Sequence, residues 1–247
     1  MIRPRLQGFF VTGTDTAVGK TGVAAALAWL LRRHGIAVGV FKPVETGCRR
    51  RGGRCYPADA ALLRVVADAP DPIETIVPYR LPAARAPWVA ASAAGVCIDL
   101  DRLVRTAAHL MPRPGRLIVE GAGGLLVPLT ATASYRDLAR RLGLPLVIVG
   151  RAGLGTINHT RLTVEAAQRS GLRVACVVLN CGVERVPAEM ARSNQAALEA
   201  LLPVPVLGPL PRIQPRAAGM AARRSVAIRL AFHLEKCLHD AGIELRS

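Results

Sequence analysis

Short apolar runs alternate along the chain with longer stretches whose apolar positions recur at helical spacing. The run GFFVT at 8–12 predicts a buried strand. A glycine-rich turn follows, then a helix over 20–34 that Gly35 ends. Residues 36–41 predict a second strand. A second helix starts at Pro57, runs to residue 69 and is broken by 68–72. Residues 74–79 predict a short extended piece. Over 99–111 the pattern is amphipathic, with Leu100, Leu103, Val104, Ala107 and Leu110 on one helical face. A strand over 116–120 leads into a glycine-rich loop at 121–129. Helices at 135–142, 156–170 and 188–201 then alternate with strands at 146–149, 173–179 and 204–207, and 222–240 forms a last helix.

Strands made of unbroken β-branched and leucine residues imply parallel pairing with both faces covered. The chain shows no internal repeat and no Pro/Gly/Ser linker that would split it. The expected fold class is therefore α/β: a single doubly wound, mostly parallel sheet with helices on both faces, forming one domain over 1–247. Ligands of such sheets gather at the carboxyl ends of the strands. That directs the search for chemistry to 12–21, 42–47, 120–124, 150–158 and Asn180.

Composition narrows the function classes. At 247 residues, 51% hydrophobic and 20% charged, the chain supports a large core and is not a disordered polymer. No apolar run reaches the roughly 18 residues of a membrane span, and residues 1–8 lack the pattern of a secretory leader. The expectation is a soluble cytoplasmic protein with no membrane partner. The net charge of +16 would ordinarily suggest nucleic acid. However, only Lys20, Lys42 and Lys236 among the 33 basic residues are lysines; the rest are scattered arginines, and aromatics make up 4%. That pattern fits an arginine-rich solvated surface, with no nucleic-acid partner expected. The six cysteines form no CxxC pair, the five histidines no HExxH motif, and GxSxG is absent. Zinc, thioredoxin-like, metalloprotease and α/β-hydrolase chemistry thus have no support.

Against the arginine background the lysines are informative. Lys20 closes Gly13-Thr14-Asp15-Thr16-Ala17-Val18-Gly19-Lys20-Thr21, between a predicted strand and helix. Backbone N–H groups of such a loop cradle phosphates, the lysine reaches the β- and γ-phosphates, and the Thr21 hydroxyl suits Mg²⁺. The first glycine stands one residue earlier than in the strict phosphate-loop pattern. Lys42 follows the second strand in Lys42-Pro-Val-Glu-Thr-Gly47, where a second ammonium would answer charge developing on a transferred phosphoryl group. Asp59, near a helix start, and Glu120, closing the apolar strand before GAGG, are candidate Mg²⁺ carboxylates. The segment 153–159 precedes a helix whose free N–H groups could hold a carboxylate. Asn180 closes a strand where an amide could meet a purine edge.

Together, VTGTDTAVGKT (11–21), FKPVETG (41–47), the Asp59 segment, VEGAGGLLVPL (119–129), GLGTINHT (153–160), VVLN (177–180) and PVLGPLP (205–211) resemble the dethiobiotin synthases in order and spacing over almost the whole chain. The early glycine belongs to that family pattern. The resemblance implies Mg²⁺ as cofactor and ATP as co-substrate. It implies that 7,8-diaminononanoate and CO₂ or bicarbonate are joined into the cyclic urea dethiobiotin, through a carbamate and a carbamic-phosphoric anhydride. It implies that Lys20, Lys42 and Thr46 act on the carbamate and phosphate, and that Thr21, Asp59 and Glu120 surround the metal. ATP would contact residues 13–21, Glu120, Gly121 and Gly123, with Asn180, Pro209, Leu210 and Pro211 at the base. Substrate would meet Lys42, Thr46, Pro87 and Gly124, and its carboxylate would meet Leu154, Gly155, Thr156 and Asn158 across a homodimer interface. The chain departs from the family pattern at Ala17, where some relatives carry an acidic residue. It departs again at Ala86-Pro87-Trp88, where Ser-Pro-His is common, and at 208–218, which has no acidic residue for a ribose hydroxyl. Two other readings share the loop. A cobyrinic acid synthetase-like domain would need a glutaminase domain with a catalytic Cys. A partition-type ATPase would need a second lysine early in the loop, and 13–16 contains none.

Overall fold

The computed structural model describes residues 6–182, 185–215 and 217–243. The chain enters through β1 (Gly8–Gly13), α1 (Lys20–Arg33) and β2 (Val38–Phe41), then β3 (Val44–Thr46), β4 (Arg49–Arg51) and β5 (Arg54–Tyr56). The helix α2 (Ala58–Ala67), the single turn α3 (Ile73–Ile76), β6 (Tyr79–Leu81), α4 (Pro87–Ala93) and α5 (Leu100–Leu110) follow. The second half runs β7 (Arg116–Gly124), α6 (Tyr135–Leu142), β8 (Leu146–Arg151), α7 (Thr156–Arg169), β9 (Val174–Asn180), α8 (Ala188–Leu201), β10 (Val206–Leu210) and α9 (Met220–Asp240).

Six strands form one sheet in the order β10-β9-β8-β1-β7-β2, every pair parallel. All four residues of β2 are buried, as are the first five of β8, which is why these strands read as unbroken apolar runs. From β1 the chain moves one way to β2 and β7, then crosses β1 to reach β8. That reversal opens a crevice beyond the carboxyl ends of β1, β7 and β8, the position where open α/β sheets bind ligands. The helix α1 packs against α9 and α2, with Val23–Ala28, Leu30 and Leu31 buried.

Two local expectations change. Residues 74–79 predict an extended piece, but Ile73–Ile76 forms a helical turn in which the N–H groups of Thr75 and Ile76 bond the Pro72 carbonyl. The β-branched residues suggested a strand, while the Ile73/Ile76 spacing placed Ile76 in the core. Glycine-rich 121–124, expected as loop, continues β7. The hairpin of β4 and β5 was not foreseen. Its signal was Gly52-Gly53, two left-handed residues in the two-residue turn.

Candidate active site

The loop after β1 is built tightly. The Thr14 N–H donates to the Val149 carbonyl at 2.9 Å. Ala17 adopts φ 59° and Gly19 φ 94°, both left-handed. Only glycine fits at 19, because a Cβ there would stand 2.0 Å from Asn180 Nδ2. Asn180 itself, buried at the end of β9, donates to the Val18 carbonyl at 3.0 Å and accepts from the Gly182 N–H at 3.1 Å. The amide expected at a purine edge also braces the phosphate loop. Asp15 accepts from the Thr16 N–H and pairs with Arg151 at 2.7 Å.

The helix α1 starts at Lys20 with no side-chain cap, so its first-turn N–H groups face the loop ready for an anion. The Lys20 ammonium bonds the Asp15 carbonyl at 2.7 Å. Burial lowers it to about 8; the Lys42 charge pushes the same way and the Glu120 carboxylate opposes.

Lys42, Thr21, Asp59 and Glu120 converge from four elements or their ends. Lys42 Nζ lies 2.6 Å from Glu120 Oε1, 3.8 Å from Asp59 Oδ2 and 3.3 Å from the Gly121 carbonyl. The Thr21 hydroxyl donates to the same Glu120 oxygen at 2.7 Å. Lys42 is 3% exposed and Glu120 1%. Burial works against the Lys42 charge, but Glu120 and Asp59 outweigh it and raise the ammonium. Burial raises Glu120, against the pull of Lys42. Burial would also raise Asp59, but Lys42 and Arg223 hold it low.

The second oxygen of Glu120, Oε2, is buried with no hydrogen-bond partner among the described residues. An orphaned carboxylate oxygen beside a hydroxyl and a second carboxylate, at the mouth of a phosphate loop, fits Mg²⁺. That ion takes one or two carboxylates and draws its remaining ligands from phosphate and water. The described residues contain no cluster of three or more His, Cys, Asp or Glu that could hold a metal ion by itself.

These groups line a cleft of about 620 Å³, with Thr16, Ala17, Gly19, Thr46, Pro87 and Gly123 among its walls. Gly124 pairs with Gly13 across β7 and β1. Pro209 and Pro211 line a separate cavity of about 580 Å³ that also includes Arg185, Arg192 and Arg212, while the Leu210 side chain is fully buried. Leu154, Gly155, Thr156 and Asn158 stand at the start of α7 and line neither cavity. Leu154 is 85% exposed, and Thr156 is buried against Thr160.

Two residues that sequence reasoning left without a role hold Asp59 and the start of its helix in place. Glu45 is buried and accepts the N–H groups of Asp59 and Ala60, at 3.0 Å each, fixing the start of α2. It sits inside the 42–47 motif, so a signal existed. Arg223 of α9 donates to Asp59 Oδ1 at 2.8 Å and to the Ala58 carbonyl at 2.7 Å. Nothing local to 223 announces that contact.

Known proteins bear on this geometry. A family model described as an AAA domain matches residues 7–218, which leaves α9 outside the match. A protein of Anaeromyxobacter sp. (strain K) named ATP-dependent dethiobiotin synthetase is 47% identical over 205 residues, covering 80% of this chain and 90% of that one. A protein of Bacillus thuringiensis (strain Al Hakam) with the same name is 41% identical over 206 residues, covering 83% and 84%. Among solved structures, the MinC:MinD cell division protein complex of Aquifex aeolicus superposes with a TM-score of 0.56 at 14% identity, over 98% of this chain and 99% of that one. At that identity the likeness is one of fold alone. The phosphate loop, the two lysines and the identity to its relatives agree: the chain belongs to the ATP-dependent dethiobiotin synthetase family.

Proposed function

We propose that the protein makes dethiobiotin from 7,8-diaminononanoate, CO₂ and ATP in the biotin pathway, as a cytoplasmic homodimer. One substrate amine adds CO₂ to give a carbamate. A carbamate oxygen attacks the γ-phosphorus, releasing ADP. The second amine then attacks the mixed anhydride carbon, expels phosphate and closes the urea ring. The chain's own groups position and neutralise. Lys20 meets the phosphates from the helix start, and Lys42 faces the carbamate and the phosphoryl group between them. Thr46 hydrogen-bonds the carbamate. Thr21, Asp59 and Glu120 would hold Mg²⁺, which supplies charge neutralisation on the phosphate oxygens when bound. No protein nucleophile is required.

The observation that carries this reading is the convergence of both lysines with Thr21, Asp59 and Glu120 in one cleft at the carboxyl ends of the sheet. The dimer reading is supported by apolar residues left in solvent around the loop before α7 and across the site face. Leu154 is 85% exposed, Leu126 and Leu162 are each 56% exposed, and Trp88 is 42% exposed. A second copy would cover them and bring 154–158 to the partner's substrate. No helix among the described residues is long and apolar enough to cross a membrane.

The test is direct. The protein is incubated with 7,8-diaminononanoate, bicarbonate, Mg²⁺ and ATP. Phosphate release that depends on the diamine, and a product that supports growth of a biotin auxotroph, are expected. ATP turnover indifferent to the diamine refutes the assignment.

A further inference from the structure

Asp59 is the more exposed of the two candidate metal carboxylates. Its side chain is 36% exposed in the first turn of α2, whereas that of Glu120 is 1% exposed. A half-exposed carboxylate samples several rotamers, and ordering it is entropically unfavourable. Two contacts remove that freedom. Glu45 fixes the backbone by accepting the Asp59 and Ala60 N–H groups. Arg223 fixes the side chain: its planar guanidinium donates at once to Asp59 Oδ1 and to the carbonyl of Ala58. With Oδ1 held, Oδ2 is the oxygen turned toward Lys42. Carboxylates that bind metals are commonly oriented by such outer hydrogen bonds, and their loss weakens the metal site.

We infer that Arg223 is a positioning residue of the cation site. It holds Asp59 so that Oδ2 is presented to a divalent cation, and it thereby couples metal affinity to the docking of α9. The inference rests on reading Thr21, Asp59 and Glu120 as the Mg²⁺ set. Arg223 acts through Asp59. It is also not the main anchor of α9, whose Ala227, Leu230, Ala231, Leu234 and Leu238 are buried.

The experiment uses Mn²⁺ as probe, followed by electron paramagnetic resonance on the full chain with ADP present, so that no turnover is needed. Arg223→Gln is expected to raise the Mn²⁺ Kd by about tenfold or more, with an unchanged circular dichroism spectrum. Arg223→Lys, which keeps the charge and one of the two contacts, is expected to recover part of the loss and serves if the Gln variant folds poorly. In turnover, the Mg²⁺ concentration for half-maximal rate rises while kcat at saturating Mg²⁺ stays close to wild type. Asp59→Asn combined with Arg223→Gln is expected to bind no more weakly than Asp59→Asn alone. Binding by Arg223→Gln that is as tight as wild type or tighter overturns the inference, as does full additivity of the two substitutions. If wild type binds no Mn²⁺ with ADP, or if Glu120→Gln binds it as tightly as wild type, the metal reading itself fails and takes this inference with it.

Discussion

Removing Lys42 tests the site and the physics that holds it. The ammonium is 2.6 Å from Glu120 Oε1, and both groups are almost wholly out of water. Lys42→Met leaves Glu120 with one donor, the Thr21 hydroxyl, and an orphaned second oxygen. Breaking a buried pair from one side typically costs about 3–5 kcal/mol, because the abandoned charge keeps its desolvation penalty. Glu120→Gln is milder, since Lys42 keeps Asp59 at 3.8 Å; a loss of about 1–3 kcal/mol is expected. The double variant Lys42→Met/Glu120→Gln leaves no abandoned charge, so it should be more stable than the sum of the singles by at least about 1.5 kcal/mol. Urea denaturation without nucleotide or Mg²⁺ measures all three. In the Lys42→Met variant the pH dependence carried by Glu120 also grows, because the opposing pull of Lys42 is gone. Burial holds Glu120 above its unfolded value, so its folded form binds the proton more tightly. Stability is then highest in acid and falls as pH rises above the unfolded carboxyl range. All three variants should lose diamine-dependent phosphate release, by about 10²–10³-fold or more for Lys42→Met. Additivity within about 0.5 kcal/mol would refute the buried-pair argument, and near-normal turnover by Lys42→Met would refute its place in the chemistry.

Three further outcomes are expected. Gly19→Ala puts a methyl 2.0 Å from the Asn180 amide at φ 94°; isothermal titration should show ADP affinity falling at least about tenfold, and adding Asn180→Ala should restore only part of it, because the backbone strain persists. Glu45→Ala strips the N–H groups of Asp59 and Ala60 of their acceptor; loss of a helix cap costs about 1–2 kcal/mol in urea denaturation, and the Mg²⁺ requirement in turnover should rise. Asp137 accepts both the N–H and the hydroxyl of Ser134 at the start of α6, contacts that outweigh burial and lower its carboxyl. Asp137→Asn should therefore destabilise at neutral pH by about 0.5–1 kcal/mol, and that difference should vanish as pH falls through the folded carboxyl's range, where the wild type is protonated too.

Much of this protein is written locally. Strand and helix types follow from the period of the apolar pattern, and the phosphate loop follows from Gly13–Thr21 between a strand and a helix. The two lysines at strand ends stand out because the chain otherwise uses arginine. Where the local signal was divided, as at Ile73–Ile76, the β-branched composition pointed one way and the pairing of Ile76 with the core decided the other. The Gly52-Gly53 hairpin carries its signal in the two glycines alone, since the flanking arginines show no apolar alternation.

What the sequence determined by itself is thus the set of elements, the phosphate-binding loop and the identity of the charged groups that serve it, because each depends on residues within a few turns of one another. What only the tertiary structure decided is which of those groups meet. Thr21 and Glu120 lie 99 positions apart, Lys42 and Glu120 78, and Asp59 and Arg223 164. Asn180 was legible as a polar strand end, but its bracing of Val18 across 162 positions was not. These contacts follow from the strand order β10-β9-β8-β1-β7-β2 and from how α9 docks. Strand order is fixed by burial of the whole chain at once, so it brings together residues whose neighbours along the sequence carry no record of the meeting.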